Sequence, residues 1–363
     1  MFKLILKITF FIINIAAAIP MVLTLLASTV SPADSWIIAA SGLLFPLMVV
    51  VNFVFVVVWI IAKSYLVLLS ASLLIVSIPT ITHTIQIDFG GEEKRKGFRV
   101  MTFNVRGFDY YSYIGKKNVM RDSICSLIDE EEVDILCTQE FFSRKSKQFD
   151  VFEQLINGKH KKYAYLNEMG EWYNDTRWGL VTFSTYPIIN KKSFYFDPQY
   201  PFATYCDIKI NADTIRVFNV HLRSFRFSHE ERKVFDVVLD SNDIPSTEQS
   251  VSILKRFQSA YEEKAREIDT LAKVIKMSPH RVILCGDLND PASSYAYHEL
   301  SDKLDDAFVE SGSGYGKTFN GKLPLLRIDY ILHDEEISSF NYRTIKRNLS
   351  DHYPVVVDIE LTK

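Results

Sequence analysis

Three long apolar runs fill the first 85 positions of the chain, and they constrain it more than any other feature. Leu4 to Ala27 is interrupted only by Lys7, Thr9, Asn14 and Thr24; Trp36 to Ala62 carries no charge; Tyr65 to Ile85 is apolar with scattered Ser and Thr. An α-helix needs about 20 apolar residues to cross a bilayer, and each run reaches that length. The breaks between them are short: 28–34, then Ala62-Lys63-Ser64. A cleaved signal peptide accounts for the first run at most. The expected architecture is therefore three transmembrane helices, with residues 4–85 in contact with a lipid bilayer.

The switch to a second kind of sequence is sharp. Of 41 Lys and Arg and 44 Asp and Glu in the 363-residue chain, only three Lys and two Asp precede Glu92. The division expected is a membrane anchor over 1–88, a Gly-flanked polar linker over 89–97 and a soluble domain over 98–363. Lys3, Lys7 and Lys63 share one side of a three-span anchor and Asp34 the other. The positive-inside bias then puts the N-terminus inside and the domain outside, in an inner or plasma membrane. Lys94, Arg95, Lys96 and Arg99 pull the opposite way.

Beyond the linker, strand-like runs alternate with amphipathic helices. Arg99–Val105, Val133–Thr138, Leu180–Phe183, Cys206–Ile210, Ile215–Val220, Arg281–Cys285, Ile328–Leu332 and Val355–Ile359 read as strands. Met120, Ile124, Leu127 and Ile128 have helical spacing, as do Leu254, Phe257, Tyr261, Ala265, Ile268, Leu271 and Ile275. This pattern indicates a layered α/β domain. Its net charge is slightly negative. The basic clusters Arg144-Lys145 and Lys159-His160-Lys161-Lys162 are short and read as solvated loops, so the basic stripe of a duplex-gripping protein is missing. None of Cys125, Cys137, Cys206 and Cys285 has zinc-type spacing; Cys137 and Cys285 sit inside apolar runs and read as core.

The chemistry-bearing residues stand at strand ends. Asn104 ends Val100-Met101-Thr102-Phe103, Glu140 follows Thr138-Gln139, and His221 ends Val217-Phe218-Asn219-Val220. Asp287 and Asn289 follow Cys285-Gly286, Asp329 sits in Arg327-Ile328-Asp329-Tyr330-Ile331, and Asp351 and His352 precede Tyr353-Pro354-Val355. Strands ending in such groups deliver them to one mouth on a rigid frame.

Taken in order, these six segments, with the Gly179 to Ile188 stretch, resemble the endonuclease/exonuclease/phosphatase superfamily, which includes DNase I-like nucleases and neutral sphingomyelinases. The resemblance runs from about Phe98 to Glu360. It implies a four-layer sandwich, two packed β-sheets flanked by helices, and a metal-dependent phosphoesterase that hydrolyses a phosphodiester with an activated water. Hard Mg²⁺ or Mn²⁺ prefers oxygen ligands, so Glu140 is the expected metal ligand, with Asn104 as a carbonyl ligand or an orienting group and Asp351 on the metal or its waters. Asp329 and His352 resemble the family's Asp–His pair. His352 is then the general base, with Asp287 its rival; Asn289 and His221 would bind phosphoryl oxygens as charge develops there. Where many members have an acidic residue two positions after the Asn, this chain has Arg106, which favours one metal ion. His221 is closer to the sphingomyelinase and DNase I-like branches than to abasic-site endonucleases.

Two further segments invite a reading. Ser311-Gly312-Ser313-Gly314-Tyr315-Gly316-Lys317-Thr318 lacks the phosphate-loop glycine spacing and reads as a loop near the site. Leu222 to Ser250 reads as a surface excursion, or as a lid. The expected substrate is a phosphoester: a lipid, a small phosphodiester or nucleic acid. The alternatives are an extracytoplasmic endo- or exonuclease, and a binding module without catalysis.

Overall fold

The structure is a computed structural model. It describes residues 2–87, 97–110, 117–145, 149–158, 162–167, 171–172, 175–198, 200–224, 247–321 and 326–361. Most of the expected linker, part of the basic cluster at 159–162 and most of the excursion after Leu222 lie outside these residues.

The N-terminal part is a helical bundle. Helix α1 spans Phe2–Leu26, α2 Trp36–Ser41 and α3 Phe45–Ile61, with a 3-10 turn at Gly42–Leu44 joining the last two. Two stretches are long and apolar enough to cross a membrane, Ile5–Leu26 and Trp36–Ile61. The expected third span is not a single helix. It divides into α4, Val67–Val76, and α5, Ile78–Thr82. Pro79 has no N–H to give the helix, and the Ser77 hydroxyl turns back onto the Leu74 carbonyl at 2.8 Å. Ten residues of α4 rise only about 15 Å, half of a hydrocarbon core. Buried polar groups still tie all three runs together: Asn14 donates to the Ser70 hydroxyl at 2.7 Å and accepts from the Trp59 indole at 2.9 Å. Such bonds hold helices together where apolar surface gives no preference for protein over lipid. Ile12, Phe53 and Ile60 face outward.

The second part is a sandwich of two sheets. Its strands are β1 Phe98–Asn104, β2 Ile135–Arg144, β3 Tyr163–Leu166, β4 Glu171–Trp172, β5 Thr176–Ser184, β6 Ile188–Asp197, β7 Tyr200–Ile210, β8 Asp213–His221, β9 Arg281–Asp287, β10 Leu304–Asp306, β11 Asp329–Asp334, β12 Ile337–Thr344 and β13 Val355–Leu361. One sheet has seven strands in the order β12-β13-β1-β2-β5-β3, with β4 also on β5; the other has six in the order β10-β11-β9-β8-β7-β6. Among the described residues only β1/β2 and β8/β9 pair in parallel. A parallel pair needs a crossover connection, and the two amphipathic runs supply them: α6, Lys117–Glu130, between β1 and β2, and α8, Thr247–Lys276, between β8 and β9. Short helices α7 (Val151–Ile156), α9 (Tyr295–Leu300) and α10 (Ala307–Ser311), with a 3-10 turn at Arg106–Asp109, complete the set among the described residues.

Side-chain alternation sorts the apolar residues into three cores. Val100, Ile135 and Cys137 meet Cys206, Val217, Ile283 and Cys285 between the sheets. Phe218, Val220 and Leu284 pack outward on Ile268, Leu271 and Ala296 of α8 and α9. Met101, Phe103 and Leu136 pack on Ile124, Ile128 and Leu155 of α6 and α7. The result is the expected four-layer sandwich. Because both faces of the central strands are covered, those strands read as unbroken apolar runs. The polar strands β6 and β12, at sheet edges, and the short β3, β4 and β10 gave no such signal.

Candidate active site

Register brings the candidate residues together. His221 stands opposite Asp287 across β8 and β9, and Asp287 opposite Asp329 across β9 and β11. Three adjacent strands thus place three functional side chains in one row. Asp287 follows Gly286, where β8 runs too close for any side chain: a Cβ there would lie 2.0 Å from the Val220 carbonyl oxygen, at a φ of 150°. The glycine is a condition of the ladder that holds Asp287.

The opposite sheet contributes Asn104 and Glu140. The ladder between β2 and β5 slips between Thr138 and Phe141, and Glu140 adopts a positive φ of 50°. A bulge of this kind re-aims a side chain. It sends Gln139 into the sandwich and Glu140 out to the mouth, where 46% of its side chain is exposed. Glu140 is therefore inside β2, not beyond its end. Gln139 donates to the Asn219 carbonyl oxygen at 2.8 Å and to Thr102 at 3.0 Å, while Asn219 donates to the Val181 and Thr138 backbones. This fully buried pair locks one sheet to the other directly beneath the mouth.

Asn104 bridges the two halves. Its amide nitrogen lies 3.1 Å from Asp287 Oδ2 and 3.4 Å from Glu140 Oε1, and its oxygen accepts the Arg106 N–H. His221 Nε2 is 3.7 Å from Asp287 and 3.8 Å from Glu140. His352 Nδ1 is held by Asp329 at 2.9 Å, and its Nε2 points to Asp287 at 3.7 Å. Oxygen and nitrogen atoms of Asp287, Asp329 and His352 all lie within 4.8 Å of one another. The Ser350 hydroxyl donates to the Asn104 carbonyl, and so fixes the loop carrying Asp351 and His352 over β1. Asp351 lies beside the cluster, 3.6 Å from Arg106. Asn289 is directed elsewhere: its amide donates to the Leu222 carbonyl at 2.9 Å, and its backbone N–H to Asp287 Oδ1 at 2.8 Å.

Burial and charge set the protonation. Burial alone would pull the His352 pKa down, but Asp329 and Asp287 outweigh it and hold the imidazole up at about 10. Burial pushes the Asp287 carboxyl above its ordinary range, against the pull of His352 and His221. The resting proton therefore belongs on His352.

Sequence reading did not single out several supporting residues. Lys264, fully buried on α8, donates to the Asn289 carbonyl at 3.0 Å and to Asp290 at 2.9 Å. Glu267, one turn on, accepts the Arg223 N–H at 2.7 Å. Thr318 accepts from the N–H groups of Ile328 and Asp329, and the Phe319 ring stands edge-on to His352. The charges of Lys264 and Glu267 inside an otherwise apolar helix face were the available signal.

The sequence model of the Endonuclease/Exonuclease/phosphatase family matches residues 101–352, which include every candidate residue. A second model, a domain of unknown function (DUF8431), matches residues 7–84, within the helical bundle. No curated protein matches the chain. Among solved structures, the endonuclease/exonuclease/phosphatase from Bacteroides vulgatus is similar at 17% identity and a TM-score of 0.50, covering 74% of this chain and 100% of that one. A family protein from Bacteroides thetaiotaomicron is similar at 16% identity and 0.50, covering 73% and 95%. Sphingomyelinase C from Streptomyces griseocarneus matches at 16% and 0.47, covering 72% and 99%. The matched motifs, the two-sheet sandwich and the clustered polar groups agree: the chain belongs to the endonuclease/exonuclease/phosphatase family.

Proposed function

We propose that the chain is a membrane-anchored, divalent-metal-dependent phosphoesterase that hydrolyses a phosphodiester by attack of an activated water. The observation that carries this reading is the buried Asp287–His352–Asp329 cluster beside the exposed carboxylate of Glu140.

The donor set suits a hard divalent cation. Glu140, Asp287, Asp329 and Asp351 bring four carboxylates to one mouth, set against Arg106 and two imidazoles. The four cysteines are buried away from solvent, and oxygen ligands favour Mg²⁺ or Mn²⁺. Glu140 would hold the ion, with Asp351 on it or its waters; Asn104, whose amide nitrogen faces both carboxylates, would orient Glu140. The buried triad is a poorer ion site, because the Asp329–His352 hydrogen bond already occupies two of its three members. When bound, the ion would neutralise phosphoryl charge and ease departure of the leaving oxygen.

The side chains divide the remaining work. Asp287 is the stronger candidate for the base: burial raises its pKa above the ordinary carboxylate range, which strengthens it as a proton acceptor. A protonated His352 cannot accept a proton, so its imidazolium, held by Asp329, would stabilise negative charge on the phosphoryl oxygens together with His221. Asn289 would act by position, joining the Asp287 turn to Leu222 beside His221.

Lys7 lies over Tyr65, at the end of the bundle away from the sandwich. With Lys63 nearby, and with the divided third run leading back from Tyr65 to His83 at the sandwich, the positive-inside bias supports an extracytoplasmic domain in an inner or plasma membrane. The anchor, linker and catalytic divisions at 1–88, 89–97 and 98–363 belong to this proposal. The test uses the full chain in detergent with bis-p-nitrophenyl phosphate. Turnover should require Mg²⁺ or Mn²⁺ and stop with EDTA. Failure to hydrolyse any diester or monoester of a phosphoester panel with either ion would sink the enzyme reading.

A further inference from the structure

The helical bundle is docked on one particular end of the sandwich. Its contacts come from the 3-10 turn between α2 and α3 with the first residues of α3, and from the residues that follow α5. The Ser293 hydroxyl donates to the Gly42 carbonyl at 2.8 Å, and Arg327 to the His83 carbonyl at 2.7 Å. Gln86 and Gly314 exchange two backbone hydrogen bonds, at 2.9 and 2.8 Å, as a short β-bridge. A cleft between the two parts is lined by Phe45, Pro46 and Thr84 on one side and Pro291, Ala292 and Arg327 on the other.

Every one of these domain residues lies next to the catalytic candidates. Pro291 to Ser293 follow Asn289 and Asp290; Arg327 is two positions before Asp329. One loop runs from Gly314, bonded to the bundle, to Phe319, packed on His352. The site is at the ends of β9 and β8 and the start of β11; the seam with the bundle is at that same end. The bundle borders the mouth without capping it, since Glu140 and Asp351 keep 46% and 39% of their side chains exposed. Arg327 is the buried joint. It is 4% exposed, its guanidinium reaches both Asp306 at 2.8 Å and His83, and it lies over the rings of Phe308 and Tyr330 at 4.4 Å.

We infer that the anchor sets the catalytic mouth at the bilayer surface, so that the substrate is the phosphodiester of a lipid headgroup in the membrane that holds the protein. This rests on the phosphoesterase reading and narrows it. A helix end that leaves the hydrocarbon layer places what it bonds to within the headgroup region, and here those partners flank the site. Tethering makes the lipid a neighbour at high effective concentration. Water adds its oxygen to phosphorus, one phosphorus–oxygen ester bond breaks, and the leaving oxygen takes a proton; the products are a phosphomonoester and an alcohol. The domain's slight negative charge agrees with a single zwitterionic headgroup and opposes a polyanionic strand.

The test uses the full chain reconstituted in phosphatidylcholine vesicles with headgroup-labelled lipid, so that cleavage on either side of phosphorus releases label. Bis-p-nitrophenyl phosphate and plasmid DNA are supplied in parallel. The expected result is metal-dependent label release. In Gly42→Leu, a side chain is forced toward Ala27 and the Ser293 backbone; in Ser293→Ala, the bond to Gly42 is lost. Both should lose about tenfold or more of lipid turnover while keeping turnover of the soluble diester; if Gly42→Leu loses both through misfolding, Ser293→Ala carries the comparison. Hydrolysis of the soluble diester without label release overturns the inference and leaves the phosphoesterase standing, as does preferential cutting of plasmid. Wild-type lipid turnover in seam variants that keep soluble turnover also overturns it. Hydrolysis of neither lipid nor diester overturns the phosphoesterase reading itself.

Discussion

Glu267 offers a sharp test of how the site is supported. Burial raises its pKa from 4.5 to about 7, against the Arg223 N–H bond and the nearby charge of Lys264. It is 7% exposed and sits behind residues 221–223, whose Leu222 bonds to both Asp287 and Asn289. An acid whose pKa is raised by folding binds its proton more tightly in the folded state. Its stabilising contribution is therefore complete below 4.5 and lost as the pH rises through about 7. The full loss is about 3 kcal/mol, and between about pH 5 and about pH 8 it is about 2.5 kcal/mol. Glu267→Gln removes the charge but keeps an oxygen for the Arg223 N–H. Measured as thermal unfolding of the full chain in detergent, it should raise Tm by roughly 3–5 °C at about pH 8 relative to its effect at about pH 5. Turnover should be retained. Glu267→Ala removes the same charge but leaves that N–H without an acceptor, so at each pH its Tm should lie below that of the Gln variant, by about 1–3 kcal/mol of stability. A Gln variant whose Tm gain is the same at both pH values would refute the buried, proton-binding carboxylate.

Two other substitutions address the site from different directions. Asp329→Asn removes the carboxylate that holds the His352 proton, and should lower kcat/KM by about 10²–10³. With the imidazolium required, activity is lost as the pH rises through the His352 pKa, about 10 in the parent; the variant's alkaline limb should move down toward the ordinary imidazole range. A variant whose alkaline limb stays in place while its acid limb moves would return the base role to His352. Asn219→Ala strips two backbone carbonyls and Gln139 of their partner, and should cost about 2–4 kcal/mol, read as a lower denaturation midpoint. An unchanged midpoint would remove the inter-sheet lock from the account.

The sequence by itself determined the apolar bundle, the α/β character of the rest and the identity of the polar groups at the ends of apolar runs. These are local properties: a helix face or a doubly buried strand is written in consecutive side chains. Short and edge elements escaped because their burial is partial, so Lys191, Lys192 and Asn190 in β6 look like a loop. The third apolar run met the length for a span, yet Pro79 and Ser77 divide it.

Only the tertiary structure decided which groups meet. The row His221–Asp287–Asp329 depends on the register of three strands far apart in the chain, and Glu140 reaches the mouth through a one-residue slip that no composition reveals. The direction of Asn289, turned to Leu222, and of Gln139, turned into the sandwich, follows from hydrogen bonds between segments. The protonation of His352 depends on two carboxylates brought within 4 Å by pairing and on exclusion of water, which strengthens charge interactions. The same is true of the apolar bundle. Its apolarity was plain from the first 85 residues, but its docking on the end that carries the candidate site rests on Gly42, His83 and Gln86 meeting Ser293, Arg327 and Gly314. Those contacts join positions more than 200 residues apart in sequence, a distance that only folding removes.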